Sequence, residues 1–120
     1  MSLKLQTISV CSSKSERLTV TVPAEHIYPF IIHRSVSEWL EKQKGERTRY
    51  SKKLIVTHLL TGGLIAVFTN YDDAKGFVRK IKDHSIWLMP DPDLFPSHPD
   101  YYAYSDKIKR LKRQYSAIEY

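Results

Sequence analysis

Apolar residues recur at every second position in two N-terminal stretches. Leu3, Leu5, Ile8 and Val10 mark a first strand with a slip of register, and Leu18, Val20 and Val22 alternate over residues 17–22. The polar run Ser12-Ser13-Lys14-Ser15 between them reads as a turn, so the two strands predict a hairpin. Pro23 is expected to end the second strand and to open a short helix through Ile27 and Tyr28. Pro29 bars one continuous helix from 24 to 44.

The pattern then changes to helical spacing. Ser35-Val36-Ser37-Glu38 fits a capping box, after which Val36, Trp39, Leu40 and Gln43 share a face and Gly45 is a natural stop. Residues 44–53 read as a basic connector. From Leu54 two apolar runs flank Gly62-Gly63, which as a two-residue turn pairs Thr61 with Leu64. That register puts Ile55, Thr57, Leu59, Leu64, Ala66 and Phe68 on one face and Leu54, Val56, His58, Leu60, Ile65 and Val67 on the other. Both faces are apolar, as in central strands covered on two sides.

Asn70 is a good N-cap, and Asp72 and Asp73 complement the dipole of the helix it opens. Ala74, Phe77, Val78 and Ile81 make its buried stripe, and Gly76 allows close packing on the sheet. Ile86 to Met89 reads as a last short strand and residues 91–99, with three prolines, as a surface loop. A final helix from near Asp100 carries Tyr101, Tyr104, Ile108, Leu111, Tyr115 and Ile118 at spacings of 3, 4, 3, 4 and 3, an a/d heptad stripe. Its three tyrosines point to a rim or an interface more than to a deep core. The sum is an α+β fold: an antiparallel sheet of four to five strands, two to three helices packed on it, and a C-terminal amphipathic helix.

At 120 residues the chain reads as one domain, 1–120, with a single modest core. No apolar run is long enough to span a bilayer, and the N-terminus has no basic-then-apolar leader. Cys11 is the one cysteine, which excludes an internal disulfide and makes a cytoplasmic setting the default. Net charge is +6, unevenly spread. Residues 34–53 hold seven Lys/Arg against three Glu, and residues 101–120 five against two. Residues 84–100 hold three Asp and no Lys or Arg. Two basic regions favour an anionic partner, nucleic acid or an acidic protein surface, although the same charges also serve as a solvated surface.

Catalytic and metal chemistry finds little support in the spacing. His26, His33, His58, His84 and His98 make no metal pattern with each other or with Cys11, so no metal or cofactor is expected. His58 on an apolar strand reads as a satisfied core histidine rather than a base. Gly62-Gly63 lacks the pattern of a phosphate loop. Asp91, Asp93 and Asp100 read as solvated carboxylates, since no Gly stands where a calcium loop needs one.

One local pattern is familiar. Lys53-Leu54-Ile55-Val56-Thr57-His58, Gly62-Gly63, Ile65-Ala66-Val67-Phe68-Thr69-Asn70, Asp73-Ala74, Phe77 and Ile81 give strand, tight turn, strand ending in Phe-Thr, then helix. This resembles the strand-to-helix module of the arm-type DNA-binding domains of tyrosine recombinases. It is equally similar to small phage and bacterial proteins with a Thr-His-x-x-Thr-Gly turn. In the arm-type domains the sheet reads DNA through a polar outer face. Here Leu54, Val56, Leu60, Ile65 and Val67 are apolar on that face, so no functional residue is carried over.

The expected function is a non-enzymatic binding protein acting through a basic surface, with nucleic acid as ligand. The candidate residues are Lys107, Lys109, Arg110, Lys112 and Arg113, with Arg47, Arg49, Lys52 and Lys53 as a second patch if folding brings them near. The alternative is a protein–protein adaptor or inhibitor, phage-encoded or a subunit of a larger complex. It would dock, or form a homodimer, through Tyr101, Tyr104, Ile108, Leu111, Tyr115 and Ile118.

Overall fold

The computed structural model describes residues 3–11, 17–36 and 53–118. Five strands form one antiparallel meander in chain order: β1 (Lys4–Cys11), β2 (Arg17–Ile27), β3 (Phe30–Arg34), β4 (Leu54–His58) and β5 (Leu64–Phe68). Two α-helices follow among the described residues, α1 (Tyr71–Ile81) and α2 (Tyr101–Gln114). Short 3₁₀ turns at Ser85–Leu88 and Pro92–Ser97 join them. The α+β fold class is therefore as the sequence predicts. The capping box with the helix after it, and the basic connector with Arg47, Arg49 and Lys52, lie outside the described residues from residue 37 onward.

The helix face of the sheet carries Phe30, Ile32, Leu54, Val56, Ala66 and Phe68, all buried against Ala74, Phe77, Val78 and Ile81 of α1. The opposite face carries a second cluster of Ile8, Val10, Val22, Ala24 and Ile31. That cluster comes from β1, β2 and β3; of the two strands whose apolar faces predict a central place, β4 lies inside the sheet but β5 is an edge strand. Asn70 caps α1 as expected, its Oδ1 accepting the Asp73 amide at 3.1 Å.

Several local expectations are corrected. Pro23 does not end β2: the strand runs on to Ile27, with Pro23 opposite Leu5 of β1. Pairing with β3 begins only at Ala24, so the amide that proline lacks falls where no ladder bond to β3 is due. The chain reverses at Tyr28-Pro29, whose peptide is cis. β1 has no slip of register. It pairs evenly from Lys4 to Cys11, which leaves Leu5 on the helix side of the sheet, where it is exposed.

The β4–β5 turn is not two residues long. His58 donates its amide to Gly63 and accepts from Gly62, so residues 59–63 form the loop, with Gly62 at a φ of 70° that favours glycine. A bulge beside Thr57 completes the change, and Leu54 pairs with Phe68 rather than lying on the opposite face. Ile86 to Met89 is not a strand: Ser85–Leu88 form a 3₁₀ turn with Met89 as its C-cap.

A three-way hydrogen bond ties the C-terminal half to α1. The Ile81 carbonyl, at the end of α1, accepts from Trp87 Nε1 at 2.8 Å and from the Tyr104 hydroxyl at 2.7 Å. Trp87 Nε1 also reaches the Tyr104 oxygen at 2.8 Å. These side chains satisfy a carbonyl that the helix cannot pair internally. Burial pushes the Tyr104 hydroxyl up to about 12. Tyr104 is therefore deep core, contrary to the rim position that three tyrosines imply.

Candidate nucleic-acid interface

The apolar stripe of α2 is turned inward. Tyr104 and Leu111 are buried in the main core, and Tyr101, Ile108 and Tyr115 pack half-buried against it. Ile118 is half-buried beyond the helix end and donates its amide to the Val67 carbonyl at 2.8 Å. Tyr115 lies over Gly76 of α1 so closely that a Cβ on Gly76 would stand 2.6 Å from its ring. The close approach that Gly76 permits is thus to α2, not to the sheet.

Helical spacing then decides where the charges go. With the stripe inward, Lys112, Lys109, Arg113, Arg110 and Lys107 follow one another around the outward face of α2, starting from the β5 side. Lys107, Lys109, Arg110 and Arg113 are exposed, and Lys112 is half-buried. Burial, and then the charge of nearby Lys109, lower the pKa of the Lys112 ammonium. None of these cations makes a salt bridge among the described residues. Asp106 is the one acid on the flank, lining a shallow solvent-side groove with Lys109, Arg110 and Arg113. Tyr102, 78% exposed, stands on the outward face two turns before Lys109. Lys53 is half-buried just before β4.

Two crevices meet at this flank. One, of about 320 Å³, lies between α2 and the sheet-edge strand β5. Leu64, Ile65 and Val67 line it with Ile118, and Lys109, Lys112 and Arg113 stand on its helix side. The other, of about 160 Å³, lies between α2 and the 3₁₀ turns and is lined by Trp87, Phe95, Tyr101 and Ile108. Lys109 and Lys112 line both. The periodicity of α2 gives the flank, but the crevices depend on where β5 and the 3₁₀ turns lie, which no local pattern encodes.

Two histidines are built into the core. His58 is fully buried: Nε2 donates to the Trp87 carbonyl at 2.6 Å and Nδ1 accepts from the Thr61 hydroxyl at 3.0 Å. His33 holds the opposite tautomer, Nδ1 donating to the Arg34 carbonyl at 2.8 Å and Nε2 accepting from Thr57 at 2.7 Å. Burial lowers both pKa values, only partly offset by those carbonyls.

Ser85 and His98 lie 3.0 Å apart, a spacing that invites comparison with a nucleophile and its base. His98 Nδ1, however, accepts the Asp100 amide, so in the neutral ring Nε2 carries the proton and donates to Ser85. That is the reverse of the transfer a base performs. His84 likewise caps its 3₁₀ turn through Nδ1 and turns Nε2 to Asp100 at 3.4 Å. Among the described residues no group of three His, Cys, Asp or Glu could hold a metal ion, and no helix is long and apolar enough to cross a membrane.

Comparison with protein-family models, with curated proteins and with solved structures finds no match to this chain.

Proposed function

We propose that the protein binds nucleic acid through the basic flank of α2, by charge rather than by chemistry on its ligand. The observation that carries this reading is the arrangement of Lys109, Arg110, Lys112 and Arg113. They follow one another around the outward face of α2 and form no salt bridge among the described residues. Such a row neutralises consecutive phosphates and releases their counterions, which gives affinity without sequence preference. Lys112 adds to it: a half-desolvated ammonium near a like charge gains more from an anion than a freely hydrated one does.

The test is binding of a labelled oligonucleotide to the wild type and to Lys109→Glu/Arg113→Glu at low salt, with circular dichroism to show that the fold persists. Both residues are exposed, so the fold is expected to tolerate reversal. Loss of binding with unchanged melting supports the flank as the interface. Equal affinity of the two proteins removes it.

A further inference from the structure

We infer that the ligand of this flank is single-stranded, its phosphates held by Lys109 and Lys112 and its bases entering the crevices on either side of them. The inference rests on the nucleic-acid reading and specifies its ligand. A duplex hides its bases in the stack and can meet only the outer row of cations. A single strand presents phosphate and an unstacked base side by side.

The flank offers the same two chemistries side by side. Lys109 and Lys112 line both crevices, so a phosphate seated on them has an apolar recess on each side. The recess toward the 3₁₀ turns is aromatic, with Trp87, Phe95 and Tyr101 among its lining residues. Aromatic rings accept any base, because every base has a π face. The recess toward β5 is aliphatic and, at about 320 Å³, is at the small end of ligand clefts, about 300–1,000 Å³.

Charge complementarity selects an anion as occupant. Lys109, Lys112 and Arg113 line the β5 cleft, and among the described residues no carboxylate lines it. An acidic peptide shares that charge, but an extended peptide at this cleft would bind by adding a strand to β5, an edge strand of the described sheet. Ile118 already occupies the Val67 carbonyl on that edge, which interrupts the row such a strand would need. The cleft therefore suits a compact apolar group attached to an anion better than a strand.

Ser105 provides the test, because it lines the aromatic crevice without belonging to the core cluster or to the cation row. Ser105→Leu fills the crevice and leaves the charge unchanged, and leucine is a strong helix former. Wild type and variant, matched by thermal melting, are titrated with oligo(dT), with a hairpin duplex of equal phosphate number and with poly-glutamate. Amide shifts of the wild type are mapped with each probe as an independent measurement.

The expected result is tighter binding of oligo(dT) than of the duplex, and a loss of about tenfold for oligo(dT) alone in Ser105→Leu. Oligo(dT) should shift the amides of Phe95, Tyr101 and Leu64–Val67 together with those of α2. Equal binding of strand and duplex, with shifts confined to α2 and no effect of Ser105→Leu, overturns the single-strand inference and leaves the basic flank intact. Binding of poly-glutamate without binding of either oligonucleotide overturns both and assigns the flank to an acidic protein.

Discussion

His33 and His58 are held neutral by donor–acceptor pairs that use both ring nitrogens, one carbonyl and one hydroxyl each. Protonation would set an N–H against a hydroxyl already placed as donor and would bury a charge. Their pKa values are lowered in the fold from an ordinary 6.5. As pH falls below 6.5 the unfolded chain takes up these protons first, so stability drops. Each histidine costs up to about 1.4 kcal/mol per pH unit until its folded pKa is reached. Above 6.5 the two contribute no pH dependence. Urea midpoints should be level from pH 8 to 7 and fall between pH 6.5 and 5. A level midpoint down to pH 5 would contradict the neutral assignments. That His58 is a satisfied core histidine was legible from its place on an apolar strand. Its partner Trp87 was not, because 29 residues separate them.

At the scale of elements, the fit of α2 onto α1 is set by Gly76 and Tyr115. Alanine at Gly76 would gain helix propensity of roughly 1 kcal/mol but drive a Cβ into the Tyr115 ring. A double-mutant cycle separates the two effects. Gly76→Ala should destabilise the wild type and should stabilise Tyr115→Ala by about 1 kcal/mol. The same sign in both backgrounds would refute the contact. Leu111→Asp should unfold the chain, because it places a carboxylate in the main core. A folded Leu111→Asp variant that loses only a partner would restore the stripe to the surface. The α2 stripe, the α1 cap and the apolar strands were all legible, since each is a pattern within one element. The register of β4 and β5 was not. A glycine pair signals a turn but not its length, and the bulge at Thr57 exchanges which residues share a face. Pro23 misled for a related reason: a proline breaks a strand only where a ladder bond is due, and pairing partners are a tertiary fact.

At the scale of the molecule, spending the apolar stripe inside the fold leaves α2 one outward asset, its row of cations. Net charge of +6 was plain in the sequence, as were the two regions that carry it. What the sequence did not contain was the place of the crevices, assembled from β5, two 3₁₀ turns and the segment after α2. An acidic stretch closes the picture. Asp91 and Asp93 are exposed on the second 3₁₀ turn, and Asp91 caps it through the Asp93 amide at 3.0 Å. That turn packs against α2, so these carboxylates sit on an element next to the cation row, and attraction of a polyanion rests on the net charge of +6. Long-range attraction of an anionic polymer should accordingly be strong at low salt and weaken as the Debye length shortens to about 8 Å at physiological ionic strength.

The most direct measurement is the salt dependence of oligo(dT) binding to the wild type by fluorescence anisotropy. Three or four phosphates on Lys109, Arg110, Lys112 and Arg113 predict a fall of log K with log salt of slope about −2 to −3, at about −0.7 per single-strand phosphate. Affinity that is absent at low salt, or that does not change with salt, would contradict the assignment of α2 as a phosphate-binding flank.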